Sequence, residues 1–205
     1  MLKNIRSVSL IELISTLMIL SLIIMGIYNI ESFSTAQVID SDRRARVQNN
    51  LSYCLEHMGK YIEQANGDIN NPPIEKLQTG YGFRVRVDFN SPQTPDKLND
   101  DVWINYYLSG NTLQTSCTAI GTGSCNTYTQ ESLSNKILSD FSETVMPNNP
   151  TKGFYVFVDP LGNLVNIGLV GRFDPAKPVI SGTTRSPNPQ VEMKSKNISF
   201  SSSSH

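Results

Sequence analysis

Ser7-Val8-Ser9-Leu10-Ile11-Glu12, continued by the apolar run from Leu13 to Ile30, is the stretch from which the rest of the chain is read. Lys3 and Arg6 precede it, and no charged residue occurs between Leu13 and Ile30. Glu12 therefore stands alone between a basic head and about eighteen mostly apolar residues, which just reaches the length needed to span a bilayer. A charged side chain in hydrocarbon costs roughly 2.5–3.5 kcal/mol on insertion scales. A chain that keeps a carboxylate there needs a partner for it.

Three readings compete for this stretch. A secretory signal peptide would use Ser34-Thr35-Ala36 as its small-residue cleavage site, but the apolar run exceeds the usual h-region of about 7–15 residues and Glu12 is out of place in it. A plain signal anchor accounts for the length alone. The third reading accounts for Glu12. The run resembles the signal of type IV prepilins and type II secretion pseudopilins, a short basic leader ending in a small residue, then an apolar or aromatic first mature residue, a small polar residue, aliphatic residues and a glutamate. By that resemblance Ser7 is the last leader residue, Val8 the first mature one, and Glu12 the fifth-position glutamate. The family usually has Gly and then Phe or Met at the cut, where this chain has Ser7 and Val8.

The length of 205 residues allows one domain of ordinary size beyond the anchor. With a net charge of -1 there is no polybasic field, so the sequence gives no support to nucleic-acid binding by bulk electrostatics. Only 17% of residues are charged, and the C-terminal half is rich in Ser, Thr, Asn, Pro and Gly, a composition suited to an exported, turn-rich β domain. Lys3 and Arg6 place the N-terminus in the cytoplasm by the positive-inside rule. Cys117 and Cys125 lie close together in a polar, glycine-containing loop. They read either as unrelated thiols or as a short-loop disulfide in an oxidising compartment, which would stabilise the domain by about 2.5 kcal/mol through loop closure.

From Glu31 to Ala65 the pattern stays helical and becomes amphipathic. Val47, Leu51, Cys54, Leu55, Met58, Ile62 and Ala65 recur at steps of three and four, which predicts a buried face and makes Cys54 a structural thiol. Asn66-Gly67 is the expected C-cap, and His57 falls on the polar side. One helix of about fifty residues, roughly 75–80 Å long, follows. The charge cluster Asp40, Asp42, Arg43, Arg44 and Arg46 reads as a solvated stretch where the helix leaves the membrane, with subunit docking as the alternative.

After Asn70-Asn71-Pro72-Pro73 strands begin. Phe83 to Phe89 alternates with period two, Val102 to Leu108 is a second strand, and Ser109-Gly110-Asn111 turns it into a third. Leu133 to Phe141 has no assignable pattern. Phe154 to Val158, the turn Asp159 to Asn163, and Leu164 to Val170 form another hairpin, and Val191 to Phe200 is a closing strand. The expected fold class is α+β, with the second half of the helix packed on an antiparallel sheet.

No catalytic motif is present, and with His57 and His205 as the only histidines a Ser/His/Asp triad is not expected. Nothing implies a cofactor. Asp96 with Asn99-Asp100-Asp101, and Asp159 with Asn163, offer oxygen ligands for calcium, yet such runs are more commonly exposed turns and no metal site is assigned. Trp103, Tyr106 and Tyr107 read as a strand core with one aromatic edge rather than a binding surface.

The resemblance implies a pilin fold over the whole chain, and pattern and size are most similar to W-type minor pilins and J-type minor pseudopilins. It divides the chain into a leader (1–7), a membrane and filament-core helix (8–30), its amphipathic continuation (31–66) and a β-rich head (67–205). It implies cleavage after Ser7 and N-methylation of Val8 by a prepilin peptidase, and residence in a bacterial inner membrane with the head outside the cytoplasm. The subunit would then be taken up by an inner-membrane assembly platform into a pilus or pseudopilus of minor and major subunits, with Glu12 as the assembly residue. The contrasting expectation is a membrane-tethered or secreted β-domain binding module whose anchor is incidental.

Overall fold

Uninterrupted helix-forming sequence from Leu10 onward, without proline, yields a single helix, α1 (Leu10–Glu63), of 54 residues and roughly 80 Å. The computed structural model describes residues 9–68, 70–77, 82–90, 92–94, 96–138, 153–158, 164–176, 190–194 and 198–199. The buried residues of α1 are Val47, Leu51, Cys54, Met58 and Ile62, so no residue of the helix before Val47 is buried. Of the expected stripe these five are buried, while Leu55 and Ala65 are only partly buried against the core, and packing is confined to the last third of the helix. Departure from the helix comes slightly earlier than Asn66-Gly67 suggested. Ala65 bridges to Val87 and the Asn66 amide donates to the Arg86 carbonyl at 2.9 Å, so contacts with the sheet draw the chain out of the helix at Gln64.

Nine strands follow among the described residues: β1 (Ile74–Lys76), β2 (Gly82–Val87), β3 (Val102–Ser109), β4 (Thr112–Ala119), β5 (Ser132–Ser134), β6 (Phe154–Val158), β7 (Leu164–Arg172), β8 (Gln190–Lys194) and β9 (Ile198–Ser199). The expected α+β layout is present, but the expected single sheet is two. The first is antiparallel in the order β1-β2-β3-β4-β5, and the second runs β6-β7-β8 with β9 also paired to β7. The turn at Ser109-Gly110-Asn111 is tight because Gly110 takes a φ of 58°, a conformation glycine adopts without steric cost. Strand alternation puts Phe83, Val85 and Val87 with Val102, Ile104 and Tyr106 on the core side, and the Phe83 and Tyr106 rings stack at 5.0 Å.

Helix α1 lies against β8, β7, β5 and β9 and more lightly against β2, so its buried stripe closes the core of both sheets. The stretch after β5 joins them. Lys136 and Leu138 exchange backbone hydrogen bonds with Arg172 and Val170, extending the β7 edge beyond β6, and Ile137 bridges to Gly171. This segment, part of the stretch whose sequence gave no pattern, takes its conformation from β7 rather than from its own periodicity. Gly171 is what lets the helix come close. A Cβ at that position would lie 3.0 Å from Leu51 Cδ2, 3.1 Å from the Lys136 carbonyl oxygen and 3.2 Å from Val47 Cγ1.

Candidate functional site

The stem begins with Ser9 as the N-cap in extended conformation, after which the helix is continuous. The Ser9 backbone N–H donates to Glu12 Oε2 at 3.4 Å, placing the carboxylate in the first turn, where the helix dipole favours an anion. Ser7 and Val8, the expected cleavage positions, lie outside the described residues. Between Leu10 and Ile30 every residue is exposed. An 18-residue window here has a mean hydropathy of 2.4 and is wholly unburied, making α1 the one helix among the described residues long and apolar enough to cross a membrane.

Three hydroxyl side chains of this stretch bond to the helix itself. Ser15, Thr16 and Ser21 donate their hydroxyls to the carbonyls of Glu12, Leu13 and Met18 at 3.0, 2.8 and 2.8 Å, so none needs a water partner. Burying each exposed Leu, Ile or Met of the stem would return about 1.5–3 kcal/mol. These features are consistent with a single-pass membrane segment.

The charge cluster past the span is largely self-paired. Arg44 Nε reaches Asp40 at 3.2 Å and Arg46 Nε reaches Asp42 at 2.8 Å, both exposed pairs one helical turn apart. Arg43 differs, because its guanidinium lies 4.9 Å from the Phe173 ring centroid, with the Lys136 ammonium 5.0 Å from the same ring. Phe173, just past β7, thus ties the head to the exit of the stem. Sequence reading missed it, and its position beside a strand end carried no pattern that marks such a contact.

In the head, Cys117 and Cys125 form a disulfide with their Cα atoms 5.8 Å apart. Cys117 sits on β4, so the bond fastens the following loop to a strand. That loop rests on the segment just before β3 through Ile120 N–H to Asp101 O (3.0 Å) and Thr122 N–H to Asn99 O (2.9 Å). Cys54 is a buried free thiol on the core stripe, and burial pushes it up to about 12.

In the candidate calcium run one oxygen of each of two carboxylates is bonded internally, while Oδ1 of both Asp100 and Asp101 is buried without a hydrogen-bond partner. Asp100 Oδ2 accepts from the Thr94 hydroxyl at 3.0 Å and Asp101 Oδ2 from Asn66 Nδ2 at 3.3 Å. Among the described residues no group of three or more His, Cys, Asp or Glu side chains is arranged to hold a metal. Asp159 and Asn163 lie outside them. Asp101 is fully buried, and its carboxyl is raised to about 6 by desolvation and then by the charge of Asp88, against the opposing pull of Arg86.

Two aromatic expectations need correction. His57 is not simply on the polar side: it is half-buried and its Nδ1 shares a 3.1 Å hydrogen bond with the Tyr106 hydroxyl. Of the expected strand core, Tyr106 is fully buried, and Trp103 is buried too but outside the main core cluster. It lies on the outer face of β3, 6% exposed, with the guanidinium carbons of Arg84 and Arg86 4.4 and 4.7 Å from its ring centroid. Two cations over one indole explain how the alternating arginines of β2 can be covered.

Comparisons with protein-family models, with curated proteins and with solved structures find no match to this chain.

Proposed function

We propose that the chain is a structural subunit of the minor pilin or minor pseudopilin kind, cut after Ser7 by a prepilin peptidase and drawn from the inner membrane into a helical filament. The observation that carries this reading is the division of labour along α1. One continuous helix has a wholly unpartnered apolar first part, with Glu12 in its first turn, and a second part bound into the head. A simple anchor has no use for a carboxylate at its edge or for a rigid connection to its domain. A subunit that packs stem against stem uses both.

In this reading Val8 carries an α-amino cation after cleavage, and Glu12 faces the amine of an adjacent subunit. Unit charges at about 4 Å interact by roughly 4 kcal/mol at an effective dielectric of 20, before desolvation is counted. That contact sets axial register, while the apolar side chains from Leu13 to Ile30 supply non-directional packing. Within its own chain Glu12 already accepts the Ser9 amide, so assembly exchanges a 3.4 Å local bond for an intersubunit ion pair.

The test is mass spectrometry of the mature N-terminus together with the variant Glu12→Ala. The expected results are N-methylated Val8 and a variant that is exported and inserted but absent from filaments. An uncleaved Met1, a start at Gln37, or normal incorporation of Glu12→Ala would refute the proposal and favour a membrane-tethered binding module.

A further inference from the structure

Tyr53, His57 and Tyr61 recur every four residues and therefore share one face of α1, adjacent to the stripe that enters the core. With Glu56 and Glu63 from the same helix and Glu131 from the segment before β5, they line an open groove of about 690 Å³. That size falls within the roughly 300–1,000 Å³ typical of ligand pockets, room for a long side chain together with part of the chain that carries it.

The aromatic wall is fixed from behind. The rings are spaced 6.2 Å from Tyr53 to His57 and 5.1 Å from His57 to Tyr61. His57 is held by the Tyr106 hydroxyl at 3.1 Å, and the Tyr53 hydroxyl donates to Glu131 Oε2 at 3.3 Å. Tyr61 meets Phe89 and Tyr128 edge-on at 6.3 and 5.9 Å. Rings so placed are a preorganised surface, which lowers the entropic cost of binding.

The charge of the groove selects its occupant. Three carboxylates face one ammonium, Lys60, and aromatic faces add negative potential of their own. Lys60 itself rests over the Tyr61 ring at 5.4 Å, so this wall already holds a cation. Burial keeps His57 lowered, so it adds no opposing charge at neutral pH. We propose that the groove is a docking site for a lysine or arginine side chain presented by a partner polypeptide. The head end of α1 is then a recognition surface in its own right, and the assignment does not depend on the filament reading.

The test uses the full chain, isotope-labelled, in zwitterionic micelles, titrated with the peptide acetyl-Gly-Arg-Gly-Arg-Gly-amide while the His57 ring signals are followed by NMR, with His205 as internal reference. The arginine peptide should shift the His57 signals saturably, and the same peptide with citrulline in place of arginine should not. Exposed ion pairs contribute about 0.2–1 kcal/mol each, so Glu56→Gln with Glu131→Gln should raise Kd about two- to thirtyfold. Tyr61→Leu should raise it about two- to fivefold. Thermal unfolding of each variant checks that the head remains folded. The proposal falls if the arginine peptide leaves His57 unmoved up to roughly 10 mM, beyond the weak millimolar range. It also falls if the citrulline peptide binds equally, if a folded Glu56→Gln/Glu131→Gln variant binds as wild type, or if free arginine amide binds as tightly as the peptide.

Discussion

The closeness of α1 to β7 should be measurable as a coupling between Leu51 and Gly171. Leu51 is fully buried, so Leu51→Ala removes core contacts and leaves a void, at a cost of roughly 3–5 kcal/mol. Gly171→Ala has the opposite fault. Its new methyl would sit 3.0 Å from Leu51 Cδ2, 3.2 Å from Val47 Cγ1 and 3.1 Å from the Lys136 carbonyl oxygen. The two side chains can yield by a few tenths of an ångström. The carbonyl cannot, because it accepts the Arg172 amide at 2.8 Å. Overpacking of about 1–3 kcal/mol, less about 0.4–1 kcal/mol for the reduced freedom of the unfolded chain, leaves a net loss near 1–2 kcal/mol. In the double variant the closest clash disappears and the alanine methyl occupies part of the void. The pair should therefore be less destabilised than the sum of the singles by roughly 0.5–1.5 kcal/mol. Urea unfolding of the full chain in micelles, followed by the fluorescence of Trp103, the single tryptophan, measures all four corners of the cycle. Additivity within about 0.3 kcal/mol would show that Leu51 and Gly171 do not meet as described.

Three further outcomes are expected. Replacing Cys117 and Cys125 together by serine should cost about 2.5 kcal/mol from loop closure, and a reductant that destabilises wild type should then have no further effect in the same unfolding assay. Cys54, buried and with its thiol pushed up to about 12, should resist alkylation by iodoacetamide at neutral pH in the folded protein and react once urea exposes it; rapid labelling before unfolding would contradict its place in the core. Asp101 is raised in the folded state from 3.8 to about 6, so the native state binds more protons between those values and wild type loses stability as pH rises through that window. Asp101→Asn should lack this loss, so the variant's Tm relative to wild type should increase from pH 4 to pH 7; a constant difference would mean that Asp101 ionises normally. Taking the difference cancels the opposing contribution of His57, whose lowered value favours folding as pH rises.

Much of this architecture is written in local pattern. The stripe Val47, Leu51, Cys54, Met58 and Ile62 is legible because a helix repeats every 3.6 residues, and a head that buries one side must show that period. The β2, β3, β4 and β6 strands are legible for the corresponding reason, since period-two alternation survives wherever one face is dry. The strands that escaped notice are short. Residues in β1 and β5 are too few to alternate detectably, and both hold their place by pairing with β2 and β4. Trp103 was misleading because its burial comes from two arginines that sequence alone would place in solvent.

For the site, the sequence by itself determined the stem: an apolar run, one carboxylate at its head and no proline are properties of neighbouring residues, and helix geometry turns them directly into a span with Glu12 in its first turn. Pairing of Cys117 with Cys125 was open in the sequence and decided in the fold, where β4 and the loop after it bring the two thiols together. Tertiary structure alone divided the strands into two sheets, seated Arg43 on Phe173, and set Glu131 beside Tyr53 to complete a groove. Those contacts join residues far apart in the chain. Their existence depends on where strand pairing and core packing bring each segment, which no local periodicity encodes.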